Sequence, residues 1–283
     1  MLVKQIGEVE VSYHASDDPV VSFLVNQGVL FGEGNFKLLD QFIKQKGRII
    51  DCGSHIGTFS IPAVLAGYKV TAIDGAPKNV ECLKETAKQF NDNLDVFEEI
   101  LSDTVAKCSF SHDSGPFGWI LEDPENGNFM SQTLDNLCEA HNYDNICAIK
   151  YDVEGGEIGA LEGSKGVLAT HKPPLLIEVN GWCLYNKQKS PKDLFATIES
   201  LEYTIYLPFS NTLFIIDKDK NFPFCVTDVI AIHNDCLDQY PFLDNARVFT
   251  DEEIELLIAQ NYQNSNGDCK CYFDSIQDKE SVA

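Results

Sequence analysis

Basic residues are scarce in this chain: 21 Lys and Arg stand against 44 Asp and Glu, a formal net charge of -23. Such a surface repels phosphate backbones, which argues against DNA or RNA as partners and against docking on anionic membranes. No apolar run is long enough to span a bilayer, and the amino terminus, MLVKQIGEVEV, has no apolar signal segment, so a cytoplasmic protein is expected. The ten cysteines contain no C-x-x-C. Cys269 and Cys271 alone are close, and two ligands do not make a metal site; thiols in a reducing compartment are expected. There is no internal repeat and no long low-complexity linker. A complete dinucleotide fingerprint is missing too. RIIDCGSHIGTF, residues 48–59, carries Asp51 where the first glycine of G-x-G-x-x-G would stand, which disfavours an NAD enzyme.

What is present fits one large domain or one domain with appendages, since 283 residues with 44% apolar content can bury a sizeable core. Residues 1–46 read as an amino-terminal extension, with a possible strand at 8–13 and a lead-in helix at 35–45, where apolar residues fall at 36, 38, 39, 42 and 43. From 47 to 240 strands and helices alternate. RIID, YKVTAID, LDVFEEIL, NICAIKYD and PLLIEVN read as strands; 57–67, a stretch from Pro77, LDNLCEAH, 157–171 and 191–201 read as helices. Residues 104–130, with Gly115, Pro116, Gly118, Pro124 and Gly127, read as hairpins and loop. The alternation predicts an α/β fold with a doubly wound, mostly parallel sheet. The closing strands YTIYLP, TLFIID and VTDVIAIH lack intervening helices, so an antiparallel edge is expected. Residues 241–283 are read as a helix capped by Thr250 followed by a tail, 264–283, too polar to order itself.

In open α/β sheets a ligand lies at the carboxyl ends of the strands. Gly53 and Gly57 let a backbone approach a ligand and a helix start pack closely. A pyrophosphate would need a turn offering several bare amides, whereas an acid there suits a cation. Asp74 ends the next strand at the distance from the glycine turn that suits a ribose diol. S-adenosylmethionine fits, being a nucleoside with a cationic end and no phosphates. Ser54, His55 and Thr58 in the turn and Gly75 after Asp74 complete the expected contacts. His55 is also a candidate catalytic group; Cys52 reads as a packing residue.

The second dense stretch is IKYDVEGGEIGALEGS, 149–164. Lys150, Asp152 and Glu154 alternate onto one side of a strand, and Asp152 should emerge at its end. Gly155 and Gly156 permit a sharp turn. Glu157 and Glu162 read as solvated acids near a helix start. The following strand ends at Glu178 and Asn180. Neighbouring strand ends bearing Asp51, Asp152 and Glu178 would mark a site.

These segments, with AIDGAPKN, ILSD, TLDNL and LLIEVN in order, resemble FkbM-type methyltransferases over about 47–182 and more weakly to about 233. The resemblance implies a Rossmann-like seven-stranded sheet and methyl transfer from S-adenosylmethionine, usually to a hydroxyl oxygen of a sugar or similar small molecule. It matches Asp51, Gly53 and Gly57 to the cofactor turn, Asp74 to the ribose acid, Ser102 and Asp103 to the loop near adenine, and Asp152, Glu154, Gly155 and Glu157 to the family block. The chain departs from it at G-S-H-I-G, where the family often reads G-A-N-x-G, and at Asp74-Gly75, where it often reads Glu-Pro. Asp152 is expected to take the acceptor proton, with Glu178 and His55 behind it; alternatively Asp152 and Glu178 hold a divalent metal. A glycan or small-molecule acceptor is expected. The alternatives are a protein or lipid acceptor, or a non-catalytic cofactor-binding interaction module. The oligomeric state is left open.

Overall fold

The structure is a computed structural model that describes residues 1–16, 18–111, 119–122, 126–265 and 267–280. The chain divides into two units, Met1–Leu175 and Leu176–Ala283.

The first unit opens with a hairpin, β1 (Leu2–Ile6) against β2 (Val9–Tyr13), then α1 (Pro19–Gln27) and α2 (Glu33–Asp40). Its centre is the run β3 (Arg48–Cys52), α3 (Ser60–Leu65), β4 (Lys69–Asp74), α4 (Pro77–Ala87) and β5 (Leu94–Glu98). After it come β6 (Ile100–Leu101), β7 (Lys107–Ser111), β8 (Trp119–Glu122), β9 (Phe129–Gln132), α5 (Leu134–Ala140), β10 (Ile146–Tyr151), α6 (Glu157–Glu162) and α7 (Lys165–His171). The central strands lie parallel in the order β10-β3-β4-β5. Ile49, Ile50, Val70, Ala72, Ile73, Ala148 and Ile149 are all buried, as continuous apolar strands covered on both faces should be. The helices α3 and α4 are the crossovers that parallel pairing requires. Pro19 and Pro77 lead α1 and α4, where the first helical residue needs no amide hydrogen.

The expected strand at 8–13 is β2, and one expectation changes. Val9 and Val11 of the hairpin and Val21 and Leu24 of α1 share one apolar cluster with Ile56, Ile61 and Cys82. The predicted helix 157–171 is two helices, α6 and α7, broken at Gly163 and Ser164. A Cβ at Gly163 would lie 2.1 Å from the Ser102 carbonyl oxygen, so the bend admits only glycine there. In 104–130, β7 pairs antiparallel with β8 and β9; Gly115, Pro116, Gly118 and Pro124 lie outside the described residues.

The second unit begins with β11 (Leu175–Asn180), whose first residue closes the first unit, and holds α8 (Gly181–Asn186), α9 (Pro191–Ser200), β12 (Tyr203–Phe209), β13 (Thr212–Ile215), β14 (Val226–His233), β15 (Arg247–Val248), α10 (Asp251–Asn264) and α11 (Gly267–Glu280). The strand β12 runs antiparallel to both β13 and β14, which is the expected edge. Thr250 caps α10 in a reciprocal box with Glu253. The tail departs from expectation. Residues 267–280 form a helix, and Tyr272 and Phe273 are buried against Trp182, Cys225, Ile258 and Tyr262. A Cβ at Gly181 would meet the Tyr272 ring at 2.6 Å, and the Tyr272 hydroxyl donates to the Phe222 carbonyl at 3.1 Å. Polar composition concealed an apolar stripe, Cys269, Tyr272, Phe273 and Ile276, at helical spacing.

Candidate active site

At the end of β3 the backbone turns through Gly53 (φ +82), His55 (φ +51) and Gly57 (φ +88). The amides of Gly53 and Ser54 both donate to the Ile73 carbonyl, at 2.9 and 3.0 Å, which holds the turn against the end of β4. A Cβ at Gly53 would lie 1.6 Å from the Asp152 carbonyl oxygen, and one at Gly57 would lie 2.4 Å from Leu83 Cδ1. Both glycines are therefore demanded twice, by φ and by space. Thr58 and Ser54 are buried beneath the turn.

Asp51 has no surface at all. Its Oδ2 accepts the Ser60 hydroxyl at 2.6 Å, and its Oδ1 lies 3.6 Å from Lys150 Nζ. Burial pushes its carboxyl above the ordinary range, against the pull of Lys150 and Ser60. The acid in the turn does attract a cation, but the cation is the chain's own Lys150. Asp51 is thus brought to the site as its buried floor, without a face for a ligand.

Asp74 ends β4 half-buried. Its Oδ2 accepts the His55 amide and its Oδ1 the Ala76 amide, both at 2.8 Å. Burial raises its carboxyl above the ordinary value, while His55 and the two amides oppose the rise. It fastens the glycine turn to the start of α4 through Gly75 and keeps lone pairs for hydroxyl donors. His55 Nε2 meets Asp18 Oδ2 at 2.8 Å, and Asp18 Oδ1 caps α1 at the amides of Val20 and Val21. Burial disfavours the imidazolium, yet Asp18, Asp74 and Asp152 hold His55 above its ordinary value. Burial also works against the Asp18 carboxylate, and His55 with the two amides keeps it below its ordinary value. The pair ties α1 to the turn. Asp18 was missed in the sequence, although Asp-Pro ahead of an apolar run that ends at Gly28 is a helix-start and helix-stop pattern.

Asp152 emerges past the end of β10, with its side chain 28% exposed and its Oδ2 2.8 Å from Lys150 Nζ. Its amide donates to the Cys52 carbonyl at 3.0 Å, so the two turns share a hydrogen bond. The chain then turns through Glu154 (φ +52) and Gly155 (φ +85). Glu157 is not a solvated acid. It is fully buried, and its Oε1 accepts the amides of Val153 and Gly155 at 3.0 and 3.1 Å, closing the turn from inside. Burial pushes its carboxyl up to about 7, although those amides oppose it. Ser102 and the exposed Asp103 lie against α6, where Gly159 and Gly163 give them room. Asp51, His55, Asp74 and Asp152 thus come together within the first unit. Glu178 lies on β11, part-buried, and Asn180 caps α8 at the Cys183 amide, 3.1 Å away.

The sequence pattern of the methyltransferase FkbM domain matches residues 51–205, more than half of the chain. The chain belongs to the FkbM methyltransferase family. No curated protein matches it. Among solved structures it is similar to an FkbM methyltransferase from Methylobacillus flagellatus KT, at 17% identity and a TM-score of 0.47, over 76% of this chain and 52% of that one. The chain thus spans about half the length of that protein. It is also similar to magnesium protoporphyrin IX methyltransferase from Synechocystis PCC 6803, solved with bound S-adenosylmethionine, at 12% identity and a TM-score of 0.44, over 78% and 86% of the two chains. A TehB-like methyltransferase from Corynebacterium glutamicum matches at 15% identity and a TM-score of 0.44, over 75% of this chain and 92% of that one. Part of the FkbM resemblance is structural glue. In TLD, Thr133 caps α5 at the Asn136 amide, and Asp135 takes the amides of Gly166 and Val167, each at 2.8 Å, to cap α7. Neither residue reaches Asp152.

Proposed function

We propose that this FkbM protein transfers a methyl group from S-adenosylmethionine to a hydroxyl oxygen of a sugar, glycan or similar small molecule. The observation that carries the reading is the turn at β3, bare of side chains at Gly53 and Gly57, set beside the part-exposed carboxylate of Asp152. The residues fit the cofactor. The turn from Gly53 to Thr58 offers close backbone approach, Asp74 keeps acceptor capacity for a ribose diol, and Ser102 and Asp103 follow β6 and lie against α6. When bound, S-adenosylmethionine supplies a methyl group carried on a positively charged sulfur. The chain's own task is to exclude water, to hold the acceptor oxygen in line, and to take its proton. Asp152 is the group for the last step, because it is ionisable, part-exposed and fixed by Lys150. Asp51 takes no part in that step, being sealed under the turn.

The test is calorimetry with S-adenosylmethionine and S-adenosylhomocysteine, followed by labelled methyl transfer to a panel of glycans and small alcohols. Asp74→Ala is expected to weaken cofactor binding by about 1–3 kcal/mol, the scale of losing a charged acceptor in a buried site. Asp152→Asn is expected to bind cofactor normally and to lose roughly 10²-fold in turnover. Absence of heat with either cofactor form at millimolar concentration would overturn the reading. Transfer to a protein or lipid alone would keep the cofactor and change the acceptor class.

A further inference from the structure

Lys150 is the last but one residue of β10, and its side chain is only 5% exposed. In the parallel register it stands directly beside Asp51 of β3. Its ammonium is 2.8 Å from Asp152 Oδ2, 3.6 Å from Asp51 Oδ1 and 5.7 Å from the centre of the Phe59 ring. A buried ammonium is costly unless a carboxylate compensates it. Asp51 alone would supply that compensation. The shorter contact, however, goes to Asp152, two residues on and just past the end of the strand. Asp51 is in turn held by Ser60, so the lysine is braced from β3 and the helix that follows it. A donor braced this way fixes the direction of the carboxylate it binds. With Oδ2 committed to Lys150, Oδ1 of Asp152 has no donor among the described residues.

We propose that Lys150 is a positioning residue for the methyl transfer, orienting Asp152 so that its free oxygen receives the acceptor proton, while the same ammonium neutralises Asp51 beneath the glycine turn. The proposal rests on the function proposed above. It separates two duties of one side chain, a structural one toward Asp51 and a functional one toward Asp152.

The experiment compares wild type, Lys150→Met, Lys150→Met/Asp51→Asn, Asp152→Asn and the triple variant Lys150→Met/Asp51→Asn/Asp152→Asn. Melting temperature, S-adenosylhomocysteine binding, and kcat and KM for the methylated acceptor are read for each. Lys150→Met alone strands the buried Asp51 charge and is expected to melt early or fail to fold. Removing both buried charges in Lys150→Met/Asp51→Asn should restore the melting temperature and cofactor binding. Its kcat should stay down by roughly tenfold or more, the scale of a misaligned proton acceptor, with KM little changed. In the Asp152→Asn background, adding Lys150→Met/Asp51→Asn should lower kcat no further, because the lysine's target is already gone. Full kcat in Lys150→Met/Asp51→Asn, or an additive loss with Asp152→Asn, would show a purely structural lysine and overturn the proposal alone. No transfer by wild type to any acceptor would overturn the reaction, and the proposal with it.

Discussion

The two glycine turns, one after β3 and one after β10, are built from similar materials and carry their acids differently. Each ends a buried parallel strand, contains residues at positive φ, and leads into a short helix. In the first, the fully buried acid, Asp51, is the strand's own residue and is met by a hydroxyl and an ammonium. In the second, the fully buried acid is Glu157, from the helix, and the partners on its Oε1 are backbone amides. The half-exposed acid, Asp152, is left on the second turn. In both turns the fully buried acid is spent on the chain's own donors, and the part-exposed Asp152 is a third residue.

The largest test of this contrast is steric. Gly53→Ala places a Cβ 1.6 Å from a backbone carbonyl oxygen and at φ +82, so several kcal/mol of stability and all cofactor binding should go. Gly156→Ala meets the Val153 carbonyl oxygen at 3.1 Å without a positive φ, and its melting temperature should drop only slightly. Equal losses at the two positions would erase the distinction between the turns. A smaller effect is expected behind the second turn. Asp135→Ala uncaps α7 and should cost about 1–2 kcal/mol by chemical denaturation, with cofactor affinity unchanged; a loss of affinity instead would place Asp135 at the ligand.

The smallest effect is a slope. Glu157 titrates at about 7 when folded, against an ordinary 4.5, so the folded state binds its proton more tightly than the unfolded one. Its stabilising contribution is complete below the ordinary value and is lost as pH rises through about 7. Glu157→Gln keeps an acceptor oxygen for both amides and cannot ionise. The fall in melting temperature between about pH 5 and about pH 8 should therefore flatten in the variant. A residual slope of the same sign belongs to Asp51 and Asp74, whose carboxyls burial also raises. An unchanged slope would mean that Glu157 is not sealed inside its turn.

The alternation of strands and helices and the two turns were legible because apolar runs and glycines report directly on burial and on backbone strain. The partnership of Asp51 with Lys150 was not, since alternation along one strand says nothing about which residue of the neighbouring strand stands opposite. Glu157 misled for a related reason. A carboxylate at a helix start is ordinarily solvated, and only the reversal of chain at Glu154 and Gly155 folds its two amide donors back onto it. The carboxyl-terminal helix was hidden by averaging, because composition dilutes four apolar residues of one face among the polar residues of the others. His55 is marked by the turn it occupies, whereas the helix-start pattern at Asp18 carries no sign of a histidine 37 residues further on.

Gly163 and Ser102 are far apart in the chain, yet there is no room for a methyl group between them. Neither position is at liberty to drift alone. A lineage that gained a side chain at 163 would have to draw back the 102–103 loop first, and with it whatever that loop touches. Any change of backbone in that loop is thereby yoked to the joint between α6 and α7, so related chains that differ at one should differ at the other.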